Sequence, residues 1–234
     1  MPTPAERKAL AQGLAKLREN MVTLAELSEI AIRKAMDCLA RGDPVVAGEV
    51  FTLDEEIYAL QLEIERTCGD LIALHAPVAR DLRTITTSLK ITTDLDRIGR
   101  YAKDIAEVAL QVHAETREHL EGLVGIQRMA ELTIQMVDKA TDAFVKRDAE
   151  SVRRIAEVDD AVDLLHDEIL RGLIGSMEAG RTPIEDGVWY ILVNRYLERI
   201  ADHAVNIGER VVYMVTAERL PRVRGAERAP REAP

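Results

Sequence analysis

The feature that most constrains this chain is that it repeats itself. Sliding the sequence along itself by 105 residues pairs Ala25, Glu26 and Leu27 with Ala130, Glu131 and Leu132. The same register carries Ala35 to Ala140, Asp37 to Asp142, Asp43 to Asp148, Asp54 to Asp159, and Glu63 and Ile64 to Glu168 and Ile169. After one three-residue gap the offset becomes 102, pairing Arg97 and Ile98 with Arg199 and Ile200, Ala102 with Ala204, Ile105 with Ile207, and Glu107 with Glu209. Unrelated amphipathic helices share a few apolar positions by chance, but they do not align acidic positions through three helices. The reading is a tandem duplication: a first repeat over 1–114, a second over 115–218, and a tail over 219–234, rich in Pro, Arg and Ala, that reads as disordered.

Each repeat carries helical periodicity. Leu10, Leu14, Leu17, Met21 and Leu24 step by fours and threes, as a buried helix stripe does, and this first helix runs to about Arg41. Gly42, Asp43 and Pro44 break it. Leu53, Ile57, Leu60 and Ile64 begin a second helix that ends near His75. Pro77 suits the first turn of a third, whose stripe is Ile91, Leu95, Ile98, Ala102, Ile105 and Ala109 and which reaches about Val112. The second copy repeats the plan, with helices near 116–147, 149–178 and 183–216. The last opens with Thr182 as N-cap before Pro183 and has the stripe Val193, Leu197, Ile200, Ala204, Ile207 and Val211. Short connections favour antiparallel neighbours, so the expected fold is all-α: two homologous up-down-up three-helix bundles, six long helices in all. Composition agrees, since apolar residues make up 47% and aromatics only 3%, leaving burial to Leu, Ile, Val, Ala and Met.

Charge and composition exclude several classes of function. A net charge of −10 opposes binding to a phosphate backbone, so nucleic acid is not an expected partner. The clean apolar run Val188 to Val193 is far below the roughly 20 residues that span a bilayer, and the N-terminus has no signal pattern. The expected location is the cytoplasm, with any membrane association indirect, through partners. Cys38 and Cys68 are too few for a disulfide scaffold or a four-ligand zinc site and read as buried small hydrophobes.

Glu198, Asp202, Asn206 and Glu209 share one face of the sixth helix, roughly opposite its apolar stripe. Asp159 and Asp163 sit roughly 120° from the stripe of the fifth. Carboxylates and an amide oxygen at one-turn spacing suit a hard cation, and on this counting they line the outer surface. Spacing alone decides nothing, because about three acid-xxx-Asp pairs are expected by chance in so acidic a chain and four occur. HExxH, the Glu-x-x-His pairs of di-iron bundles, Gly-rich phosphate loops and nucleophile triads are absent. His203 follows Asp202 but points about 100° away from it.

The segment Asp81-Leu-Arg-Thr-Ile, and Leu89-Lys-Ile-Thr-Thr-Asp-Leu-Asp-Arg-Ile-Gly-Arg-Tyr-Ala running to Ile105-Ala-Glu107, resembles the signature helix of the PhoU family. Tyr196-Leu-Glu-Arg-Ile-Ala-Asp-His-Ala-Val-Asn-Ile-Gly-Glu209 resembles its second occurrence. With the duplication, the resemblance covers about 215 residues, all but the tail. It implies two similar three-helix bundles and a negative regulator of the phosphate-starvation response. In that role the protein is an adaptor between the ATPase subunit of a phosphate ABC transporter and a membrane sensor histidine kinase, often as a homodimer. It also implies, for some members, iron or zinc clusters at surface E(D)xxxD motifs.

The second copy fits that motif at Glu198 and Asp202, with Asp159 and Asp163 from the neighbouring helix. In the first copy Asp96 holds the first acidic place and Asp54 matches Asp159, but Arg100 stands where the Asp is expected and Tyr58 replaces the counterpart of Asp163. A guanidinium one turn from Asp96 and Asp104 can pair with them, so a weak or absent metal site is expected in copy one. Arg80 and Arg83, at the start of the third helix, read as solvated and stay outside the site.

The leading expectation is a non-enzymatic adaptor. Its rivals are a metal-storage bundle or metal-dependent phosphoesterase, with His203 as its only visible acid or base, and a metal-free scaffold whose acidic face keeps it in solution. Direct phosphate binding would need a bound cation or a local basic group.

Overall fold

The computed structural model describes residues 4–119 and 123–218. The disordered tail expected over 219–234 lies outside them. Among the described residues every regular element is a helix: α1 (Pro4–Arg41), α2 (Pro44–His75), α3 (Ala79–Ala109), the short α4 (Ala114–His119), α5 (Leu123–Lys146), α6 (Arg153–Glu178) and α7 (Ile184–Thr216). The segment expected as one helix over 116–147 is α4 followed by α5.

The boundaries follow local chemistry. Gly42 takes the left-handed conformation (φ 66°) after α1, Asp43 Oδ1 accepts the Val45 amide at 2.8 Å, and Pro44 fills the first helical position. α2 therefore starts at Pro44 rather than near Leu53, and its first turns bury Ala47 and Val50. In the second copy Asp148 accepts the amides of Glu150 and Ser151, which holds a turn there and delays α6 to Arg153. Two expectations at helix starts are corrected. Val78, not Pro77, is the residue before α3, and Pro183 itself is the N-cap of α7. The Thr182 hydroxyl is engaged instead with Ser176 Oγ at 2.7 Å.

The expected stripes of α3 and α7 are buried throughout, and Cys38 and Cys68 lie in the core as free thiols. α1, α2 and α3 pack together, as do α5, α6 and α7, and the bundles join through α3 on α7 and α1 on α5 into one continuous hydrophobic core. Among the described residues no helix is long and apolar enough to cross a membrane.

The α3–α7 seam shows the duplication in three dimensions. Asp94 lies 3.0 Å from His203 Nδ1, while Tyr101 stacks on Tyr196 with ring centres 5.9 Å apart. At the offset of 102, Tyr196 is the counterpart of Asp94 and His203 that of Tyr101. One pair of positions thus meets twice across the seam, once as a carboxylate–imidazole contact and once as an aromatic one. Arg210 Nε closes to 2.7 Å from the other Asp94 oxygen, off the hydrogen-bond axis, so the pair is electrostatic.

Candidate functional site

In the second copy the packing of α6 on α7 brings the four expected carboxylates into mutual reach. Burial is the main cause that pushes the Asp159 carboxyl up to about 7, followed by the charges of Asp163, Asp202, Asp160 and Glu198. Glu198 is raised by burial and by Asp202, against the opposing charges of Arg195, His166 and Arg199. Arg195 donates to both Glu198 oxygens at 2.9 Å, and Arg199 lies 3.6 Å from Asp202. Asp163 and Asp202 are exposed, while Asp159 and Glu198 are half-buried, so the cluster is set into the surface rather than lying on it.

The first copy places its counterparts differently. Asp54, only 6% exposed, receives a hydrogen bond from Lys103 Nζ at 3.3 Å and has Arg100 Nε at 3.9 Å. Burial raises Asp96 and Asp104, Arg100 lowers both, and Asp54 raises both. The expected internal cation is therefore present, but its ion-pair partner is Asp54 on α2, and Lys103 joins it. The outer-surface placement expected for the copy-two carboxylates does not extend to their copy-one counterparts, because Asp54 and Asp96 are buried. The long stems of Arg100 and Lys103 lie over Asp54, and α3 is covered by α1 and α2 as well as by α7. Lys103 was legible in the sequence, one turn beyond Arg100 and replaced by Val205 in the second copy.

As a donor set, Glu198, Asp202, Asp159 and Asp163 fit a hard or borderline cation, and the high proton affinity of Asp159 reflects its burial first and the surrounding carboxylates second. As the side chains stand, no group of three or more His, Cys, Asp or Glu among the described residues is arranged to hold a metal ion. A cation there would require Arg195 and Arg199 to release Glu198 and Asp202. Asp54 and Asp96 already face covalently attached cations and fit poorly. His203 faces Asp94 and the Tyr101 ring, not the acidic cluster.

The arginines need a correction: Arg83, read from the sequence as solvated, is tied into the fold, and Arg147 was not singled out. Arg83 Nε donates to the Met214 carbonyl at 3.4 Å, and Arg147 Nη1 donates to Thr84 Oγ1 at 2.8 Å. Neither link has a signature in the sequence, because each joins residues of different repeats.

Two three-helix bundles, related by duplication and fused through their first and third long helices, define a class of all-helical proteins with an acidic α6–α7 face and a cation-bridged α2–α3 face. The PhoU domain model matches residues 21–109 and again 126–211. The chain belongs to the PhoU family. It is 32% identical over 221 residues to the phosphate-specific transport system accessory protein PhoU homolog of Zymomonas mobilis, covering 94% of this chain and 92% of that one. It is 31% identical to PhoU homolog 2 of Mycobacterium tuberculosis, over 90% of this chain and 98% of the relative. The crystal structure of PhoU from Pseudomonas aeruginosa superposes with a TM-score of 0.81 at 32% identity, covering 89% and 99% of the two chains. That of the regulatory protein PhoU from Streptococcus pneumoniae gives 0.83 at 29% identity, covering 91% and 99%.

Proposed function

We propose that this chain acts in a phosphate transport system as a negative regulator of the phosphate-starvation response. It does so as a non-enzymatic adaptor on the cytoplasmic side, between the ATPase subunit of a phosphate ABC transporter and a membrane sensor histidine kinase. The observation that carries this reading is the match over both bundles and nearly the full length of relatives named as accessory proteins of phosphate-specific transport. A surface feature supports it. Ile72, Leu74, Val78 and Leu82 flank the α2–α3 turn with apolar side chains in solvent, Leu74 and Val78 each 75% exposed. A cluster of that kind on a bundle tip suits a protein partner.

The test is capture of each partner, separately purified, by the full chain, together with a phosphate-starvation reporter in cells lacking it. The adaptor reading expects binding to both partners, a reporter left on in high phosphate, and weaker capture by Leu74→Asp, Val78→Asp at unchanged melting temperature. Failure to bind either partner, with normal repression in the deletion strain, sinks it. Self-association as a homodimer belongs to the same proposal and is read by sedimentation.

The gathering of four carboxylates where α6 packs on α7 supports one addition, an iron or zinc ion held by Glu198, Asp202, Asp159 and Asp163. Such an ion would act as a structural cross-link between α6 and α7. Metal content of untagged protein, compared with the Glu198→Ala, Asp202→Ala variant, tests it. Whole-number metal lost in the variant supports the site, and equal content in both removes it.

A further inference from the structure

In a chain of net charge −10, four arginines from different parts of the sequence converge where the two repeats meet. Arg147 follows α5 directly and reaches across to Thr84 on α3. Arg147 lines a small cleft with Arg18 of α1, Thr84 and Ser88 of α3, and Met214 of α7. Arg83 is tied to the same wall through the Met214 carbonyl. Arg80 lies one turn before Thr84. Burial lowers the proton affinity of Arg147, and so do the charges of Arg80, Arg18 and Arg83, with Asp81 the opposing carboxylate.

Like charges are not gathered in this way for stability. The backbone adds a second sign. Arg147 sits at φ 56°, in the left-handed region that glycine enters freely and other residues enter at a cost. Its counterpart in the first repeat is Gly42, at φ 66°. The second copy thus has a strained arginine where the first has the relaxed residue, and the arginine's side chain faces this cleft. Three guanidinium forks beyond the one that Asp81 can balance and the positive end of α3 form a donor set for a compact, doubly charged tetrahedral oxyanion, while the Thr84 hydroxyl, which donates to the Arg80 carbonyl at 3.0 Å, accepts from Arg147 and holds it in place.

We propose that Arg18, Arg80, Arg83 and Arg147 form a binding site for a phosphate group at the junction of the two repeats. The site draws on α1, α3 and the end of α5, so its occupancy would bear on how the bundles are held together. It is independent of the adaptor reading, because binding is measured on the chain alone. Free inorganic phosphate and the terminal phosphate of a nucleotide present the same chemistry, and separate arms of the test distinguish them.

The experiment is calorimetric titration of the full chain at low ionic strength with inorganic phosphate and, separately, with ATP. Wild type is compared with Arg147→Gly, Arg18→Gln and the charge control Arg128→Gln, a surface residue paired with Glu131 at the far end of α5. Arg147→Gly removes the guanidinium while giving the backbone the residue used at Gly42, so its melting temperature should match or exceed that of wild type. The expected result is phosphate binding weakened by about tenfold or more in Arg147→Gly and in Arg18→Gln, and unchanged in Arg128→Gln. ATP binding with that same dependence, without phosphate binding, assigns the site to a nucleotide's phosphates. No binding of either ligand, or binding that Arg147→Gly leaves intact, overturns the proposal, as does equal weakening by Arg128→Gln.

Discussion

The two repeats build the same corner twice and balance its charge differently. In the first, Asp54 sits beneath Lys103 and Arg100, two cations carried by its own neighbouring helix. In the second, those positions are Val205 and Asp202, and Asp163 replaces Tyr58, so Asp159, half-buried, faces four further carboxylates and holds a proton up to about 7. One copy has internalised its counterion and the other has left room for an external one. The lesson is that the scaffold tolerates either arrangement, because the acidic face is separate from the apolar stripe that holds the helices together.

The largest expected effect comes from erasing that difference. Arg100→Asp combined with Lys103→Val strips the buried Asp54 of both partners and should cost about 3 kcal/mol, a fall in Tm of roughly 6–12 °C. Thermal melts with and without a millimolar divalent cation check it, and part of the loss should return with the cation. A melt that coincides with wild type would show that the two cations contribute nothing to holding copy one.

A smaller effect concerns the core beneath the same corner. A Cβ on Gly99 would lie 2.7 Å from Ile57 Cδ1, whereas the second copy has Ala201 and the shorter Val162 at these positions. The trade runs in reverse one layer away, where a Cβ on Gly208 would lie 2.9 Å from Val152 Cγ1 and the first copy has Ala106 and Ala47. Gly99→Ala should therefore destabilise by about 1 kcal/mol net, overpacking exceeding the gain in helix propensity. Adding Ile57→Val should recover most of it, a coupling that a double-mutant cycle by chemical denaturation would detect. Simple additivity of the two changes would refute the account.

The smallest effect is a pH dependence at the other seam. Glu29 of α1 is raised to about 7, chiefly by burial, then by Asp138 of α5, with Arg33 opposing and Glu26 adding to the rise. Its counterpart in the second copy is the buried Ile134. Because the folded value lies above the ordinary 4.5, the folded state holds the proton more tightly, and stability contributed by this group falls as pH rises from about 4.5 through 7. Glu29→Gln should flatten that slope and raise Tm at pH 8 by about 2 °C, a modest figure because Glu29 is partly open to solvent. An unchanged slope from pH 5 to pH 8 would remove Glu29 as its source.

Much of this was legible in the chain itself. Apolar stripes at helical spacing specify which face of each long helix is buried, and two registers of self-similarity specify two bundles, because local periodicity and burial answer to the same hydrophobic term. The α6–α7 carboxylates were legible as a group for the same reason, since residues one turn apart share a face. What the sequence could not rank was depth. Asp54 and Asp96 look as exposed on a helical wheel as Asp163, yet both are buried, Asp54 beneath Arg100 and Lys103 of α3.

Sequence periodicity alone determined the helices, their core faces and the duplication, since each depends on neighbours within a few turns of one another. The tertiary structure alone decided the charge partners: Lys103 over Asp54, Asp94 between His203 and Arg210, and Arg147 against Thr84 beside Arg18. These pairings join helices far apart in the chain. Coulomb interactions depend on distance in space and on burial, and neither is encoded in spacing along a single helix.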